Sequence, residues 1–223
     1  MRLSEADRMR VSEAVTAAER DTAGEIVTVV TRRSDAYHDV GLHWAVLAML
    51  LALALLAWRP EAAVWAHGLV ADPWAGAPSP GGLFTVALLL LAIVFLVVRL
   101  ALAWMPLRLA LTPAPTKTRR VHARALTLFR AAAEARTRDA TGVLIYLSLD
   151  ERRAEIIADR AIHTRVAPDV WGAAMAALVA GMRDGRPGEG MAAAVARVGN
   201  VLAEHFPPRA DDTNELPDRL IEL

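Results

Sequence analysis

Two stretches of the chain depart from the mixed polar and apolar pattern of the rest. Residues 42–58 carry no Asp, Glu, Lys or Arg, and residues 83–105 carry only Arg99. At ~1.5 Å per residue, the second stretch is long enough to cross a hydrocarbon core of ~30 Å. The first falls short of the usual ~20 residues and needs its flanks or a slightly thinner bilayer. Neither shows the polar face that a helix half-exposed to water would carry. Trp44, Trp58, Phe84 and Trp104 stand near the four ends, where aromatic side chains collect at headgroup level. The pattern predicts a two-helix transmembrane hairpin, with small residues such as Ala48, Ala52, Ala54 and Ala57 allowing close helix approach.

The flanking segments have ordinary polarity and read as pieces of an α/β domain. Ser4 to Asp7 has the form of a capping box, and Leu3, Ala6, Met9, Val15 and Ala18 give a weak apolar stripe to about residue 21. Gly24 ends that helix, and 25–31 is a β-branched strand buried on both faces. After the hairpin the order returns. Residues 120–136 predict a helix with Val121, Ala125, Leu128 and Phe129 on one side, then Thr141-Gly142 and a second buried strand, 143–147. Residues 153–158 alternate as a hairpin strand after the turn at Asp150-Glu151-Arg152. Pro168 fits a first helical turn, followed by Val170, Trp171, Ala174, Met175, Leu178, Val179 and Met182 along one face until Gly185. A last helix carries Met191, Ala194, Val195, Val198, Leu202 and Phe206 before Pro207-Pro208, and 209–223 reads as an extended peripheral tail. A buried strand needs both faces and both edges covered, which neither flank supplies alone. The expectation is therefore one α/β domain, a central β-sheet sandwiched by helices, interrupted by the hairpin. Its parts are 1–36 and 116–208; the spans are 42–58 and 83–105, joined by an extracytoplasmic loop, 59–82.

Charge sets the orientation. Arg32 and Arg33 precede the first span and Arg108, Lys117, Arg119 and Arg120 follow the second, whereas the intervening loop has only Arg59. The positive-inside rule then places both termini in the cytoplasm, with Arg99 snorkelling at the inner end of its span. The first 21 residues lack the apolar run of a signal peptide. The chain is 55% hydrophobic, with 25 Lys and Arg against 25 Asp and Glu, so it shows no basic footprint for nucleic acid. It has no cysteine, which excludes disulfides, thiolate catalysis and zinc–thiolate sites.

Candidate chemistry is sparse. Asp150, Glu151, Glu155 and Asp159 flank the second hairpin with Arg152, Arg153 and Arg160 between them. Oxygen clusters of this kind suit calcium or magnesium, and carboxylates beside arginines suit a phosphate ester. Asp150, Glu151 and Asp159 are the metal-ligand candidates, although strand alternation prevents all the carboxylates from converging, and a solvated turn whose opposite charges pair on the surface is the favoured reading. His163 reads as a half-buried histidine at a helix start, Trp171 as core. Asp35, His38, Asp39 and His43 precede the first span; on a helix the first three would share a face, but a fourth close ligand is lacking. No H-E-x-x-H, G-x-S-x-G, Walker A or G-x-G-x-x-G signature occurs.

The segments TGVLIYLSLDERRAEIIADRAI, VWGAAMAALVAGMRDGRPGEGMAAAV and LAEHFPPRADDTNELPDRLIEL, with LSEADRMRVSEAVTAAERDTAGEIVTVVTRRSDAYHDVG at the start, resemble bacterial TPM-domain membrane proteins. The resemblance implies a central sheet between helices and a place in the bacterial inner membrane. Its implications for function are diverse: photosystem maintenance, receptor accessory roles, and a phosphatase activity attributed to a plant member. Asp159-Arg160 stands where soluble members have a Gly-rich turn, which weakens transfer of a calcium or phosphate site. The leading expectation is a non-catalytic interaction or accessory module with protein partners at the membrane surface. The alternatives are a divalent-metal-assisted phosphatase, and a structural subunit contacting a membrane complex through the hairpin.

Overall fold

The structure, a computed structural model, describes residues 3–71, 74, 76–132, 141–208, 216 and 218–223. The chain divides into two compact units, Met1–Asp35 with Ala114–Leu223, and Ala36–Pro113. The first unit opens with α1 (Glu5–Glu19) and β1 (Glu25–Thr31). The second unit holds α2 (His38–Trp58), α3 (Pro60–Gly68), α4 (Pro80–Ala101) and α5 (Met105–Ala110). The first unit then resumes with α6 (Ala114–Ala132), β2 (Gly142–Ser148), β3 (Arg153–Ala158), the short α7 (Arg160–His163), a 3-10 turn (Pro168–Trp171), α8 (Gly172–Arg183), α9 (Pro187–His205) and β4 (Ile221–Glu222).

The sheet of the first unit is mixed, in the order β3-β2-β1-β4. β1 lies parallel to β2, with Glu25 opposite Gly142 and Thr31 opposite Ser148, and parallel to β4 on its other edge. β2 and β3 form an antiparallel hairpin. Every residue of β1 and β2 is buried, as strands covered on both faces require. One face, through Ile26, Val30, Val143, Ile145 and Leu147, packs against Val11 and Val15 of α1, Ala174 and Leu178 of α8, and Met191, Val195, Val198 and Leu202 of α9. The other, through Val27, Val29, Leu144 and Tyr146, packs against Val121, Ala125 and Phe129 of α6. The result is a helix–sheet–helix sandwich. α8 and α9 cross at unusually close range through two glycines: a Cβ on Gly181 would stand 2.5 Å from the Cα of Gly190.

Ser4 and Asp7 do form the capping box: the Asp7 amide donates to Ser4 Oγ at 3.1 Å and the Ser4 amide to Asp7 Oδ2 at 3.1 Å. The Ser4 hydroxyl, which donates to Asp7 Oδ2 at 2.7 Å, and after it the Ser4 amide favour the ionised carboxyl and hold it below the usual aspartate range.

In the second unit, α2 and α4 are 21 and 22 residues long, about 32 Å each at the α-helical rise. Both are long and apolar enough to cross a membrane. Leu50, Leu51, Leu88, Ile93 and Leu96 lie exposed along them. Ser79 caps α4, accepting from the Gly82 amide at 3.1 Å, with Pro80 at the first helical position. Arg108 is buried and donates from Nε to the Leu102 carbonyl at 2.6 Å and from Nη1 to the Ala36 carbonyl at 2.7 Å. It thereby satisfies a carbonyl just past α4 and another just before α2, groups with no intrahelical partner.

Several expectations need correction. Met9 is exposed and Val11 takes its place in the core, so the stripe of α1 is Val11 and Val15. Val170 is exposed because a 3-10 turn precedes α8 and rotates it outward. The first apolar helix starts four residues earlier than residue 42, and a nine-residue helix, α3, occupies part of the segment read as loop. α6 starts at Ala114 rather than 120, and the predicted end of that helix, 133–136, lies outside the described residues. The tail is not merely peripheral: Leu216 is buried, and Ile221–Glu222 pairs with β1, covering an edge that would otherwise be bare.

Candidate functional site at the carboxyl end of the sheet

β1 and β2 end side by side, and parallel strands of α/β sheets present their ligand crevices at that end. The register sets four hydroxyls and one carboxylate together. Thr31 and Ser148 are opposed on adjacent strands, and Tyr146 lies two residues before Ser148 on the same face. Tyr146 Oη bonds Thr31 Oγ1 at 2.7 Å and Ser34 Oγ at 2.9 Å. Glu151, buried in the β2–β3 turn, accepts from the Ser34 amide at 2.8 Å on one oxygen and from the Ser148 hydroxyl on the other. The turn itself is held by the Asp150 amide donating to the Arg32 carbonyl at 2.8 Å and by Arg152 in the left-handed conformation, φ 52°. Arg120, from the first turns of α6, pairs with Asp35, and Arg32 lies 3.5 Å from Asp150.

The chemistry of this cluster is limited by burial. The Ser148–Glu151 pair has the form of a hydroxyl beside a base. Ser148 is wholly enclosed, so no substrate atom reaches it in this conformation. Both Glu151 oxygens already accept hydrogen bonds, and the group ties the chain after β1 to the β2–β3 turn. Glu151→Ala would strand the Ser34 amide and the Ser148 hydroxyl. The expected cost is ~2 kcal/mol, read as a lower denaturation midpoint of the full chain in detergent. Glu151→Gln should recover part of it, since its carbonyl can still accept one of the two bonds.

Asp150 and Glu151 share this turn, but Asp159 does not. It follows β3, beside Gly142, and lies at the opposite end of the sheet, roughly 20 Å away at ~3.3 Å per strand residue. There it caps α7, accepting the Arg160 amide at 3.2 Å on Oδ1, while Oδ2 is buried without a hydrogen bond among the described residues. A hairpin strand carries its two ends apart, so the sequence-adjacent carboxylates cannot form one ligand set. Glu155 stands midway and pairs with His122 of α6 at 3.2 Å. His163 is exposed rather than half-buried, and Trp171 is core. Asp35, His38, Asp39 and His43 go separate ways: Asp35 to Arg120, the His38 ring to Arg108 at 3.4 Å, and the His43 ring to the Asp39 carbonyl at 2.7 Å. Among the described residues, no three Asp, Glu or His side chains gather as metal ligands would.

Sequence reasoning passed over Thr31, Ser34, Tyr146 and Ser148. Their only signal was hydroxyls at the ends of two apolar strands, and it acquires meaning once the pairing of β1 with β2 is known.

Residues 109–201 match the family model of the TPM domain. No curated protein matches. Among solved structures, the chain is similar to the NMR structure of the BA42 protein from the psychrophilic bacterium Bizionia argentinensis. The two are 17% identical, with a TM-score of 0.58 over 100% of this chain and 97% of that one. At that identity the likeness shows the fold alone. The family match runs from the end of α5 into α9 and so assigns a TPM domain to residues 109–201, within a unit whose sheet is flanked by helices on both faces.

Proposed function

We propose that this chain is an accessory protein that holds a TPM domain at the cytoplasmic face of a bacterial inner membrane and engages protein partners there without carrying out chemistry. The observation that supports it is the position of the apolar pair: α2 and α4 are inserted between β1 and β2, neighbouring strands of one sheet. Cutting the anchor away would separate strands that must pair, so the domain remains tied to wherever those helices reside. Because the chain lacks cysteine, single substitutions Ser34→Cys, Ser79→Cys and Thr116→Cys can be labelled in intact cells without background. An impermeant thiol reagent should reach only the residue 79 variant. Labelling of the other two with protection at 79 would put the domain outside and overturn the cytoplasmic assignment.

A second reading, a divalent-metal-assisted phosphatase, draws on the arginines and carboxylates of the β2–β3 turn and on the matched model's label, TPM phosphatase. It requires the full chain to hydrolyse a generic phosphate ester when magnesium or calcium is supplied. Asp150→Asn should then abolish turnover without changing the melting temperature. Turnover unaffected by that substitution would remove Asp150 from the chemistry.

A further inference from the structure

Both points at which the chain leaves and re-enters the first unit, Asp35 and Ala114, lie at the carboxyl end of β1 and β2. The Arg120–Asp35 pair and the Arg153 guanidinium, which donates to the Ala114 carbonyl at 3.3 Å, fix this. That end is basic. Arg33 follows β1 and Arg152 sits in the β2–β3 turn, both exposed. From α6 come Lys117 and the exposed Arg119, on a helix of 19 residues that contains no Asp or Glu. The acidic groups of this region are already committed: Asp35 to Arg120, Asp150 to Arg32, Glu151 to Ser34 and Ser148, Glu155 to His122. The chain thus passes to and from the apolar helices at this basic end.

We infer that this basic end, formed by Arg33, Arg119 and Arg152, is a docking surface for the anionic lipid headgroups of the membrane that α2 and α4 enter. Juxtamembrane lysines and arginines gain from a negative leaflet, and the gain fades within a Debye length, ~8 Å at physiological salt. Chain continuity holds these residues close to the bilayer, so the headgroups are present at high local concentration without a separate binding step. The inference rests on the membrane reading above.

The test uses the full chain with Thr118→Cys, an exposed position beside Arg119, carrying a donor dye, in nanodiscs doped with a headgroup-labelled acceptor lipid. Energy transfer should be higher in discs containing 30% phosphatidylglycerol than in pure phosphatidylcholine, and 0.5 M salt should abolish the difference. Arg33→Gln, Arg119→Gln and Arg152→Gln combined should also abolish it, each charge contributing about five-fold to the docked population. Equal transfer in both lipids, with the protein incorporated, would overturn the docking surface and leave the anchor intact. A chain that incorporates into neither disc, and stays soluble without lipid, would overturn the membrane reading and the docking surface with it.

Discussion

Gly181→Ala should lower the stability of the full chain by about 2–3 kcal/mol. The added methyl would stand 2.5 Å from Gly190 Cα, 2.8 Å from its amide nitrogen and 2.9 Å from the Arg186 carbonyl. All three are backbone atoms, which no rotamer change can move aside. Alanine gains ~1 kcal/mol over glycine in helix propensity, so the two effects oppose and the contact decides the sign. α8 would have to lift away from α9, and both helices cover the same face of the sheet through Leu178, Met191 and Val195. Thermal unfolding in detergent should show a fall of roughly 5–10 °C for a unit of this size. Gly172→Ala in the same helix is the control, because a Cβ there meets nothing within 4 Å. It should be neutral or slightly stabilising. If the two variants melted alike, the close crossing of α8 and α9 would be wrong.

Glu19→Gln should stabilise the protein at pH 8 and have little effect at pH 4. Glu19 ends α1 and accepts from the Ile26 amide at 2.8 Å through Oε1, while Oε2 is buried without a donor among the described residues. Burial is the main cause that pushes its carboxyl up to about 8 from 4.5; the Ile26 amide opposes the shift, and Glu25 and Asp218 add to it. The raised value means the folded chain keeps this proton after the unfolded chain has released it. Stability from Glu19 is therefore fully present below about pH 4.5 and is lost as pH rises to about 8. Allowing for the side chain's partial exposure, the loss is on the order of 1–3 kcal/mol. Asp218, which accepts from Thr16 Oγ1 at 2.7 Å, belongs to the segment leading into β4. The change should therefore appear first as faster hydrogen exchange at Leu223, whose amide donates to the Val30 carbonyl at 3.0 Å. A glutamine variant with unchanged pH dependence would show that Glu19 ionises normally in the folded chain.

The two apolar helices, the buried strands β1 and β2, and the stripes of α6, α8 and α9 follow from side-chain periodicity, which packing left largely intact. Residues that departed from their predicted place did so for nameable reasons. Met9 lost the core position to Val11 because the α1 stripe is weak, with just two side chains fully buried. Ile221 and Glu222 carry no strand signal in a two-residue segment; they are a strand because the edge of β1 is open beside them.

What the sequence by itself determined is the kind of each element and the continuity of the chain: an α/β unit entered and left through an apolar hairpin, with basic residues on either side of it. Those properties depend on hydrophobic period and charge, which are written residue by residue. Register, crossing distance and the convergence of side chains were decided by tertiary structure alone. Asp150, Glu151 and Asp159 look like one cluster within ten residues, yet β3 carries Asp159 to the far end of the sheet. Thr31 and Tyr146 are 115 residues apart and share a hydrogen bond. A strand displaces its ends by ~3.3 Å per residue, while parallel pairing joins strands from any distance along the chain. Proximity in sequence therefore misplaced the carboxylates, and no local pattern could have brought the hydroxyls together.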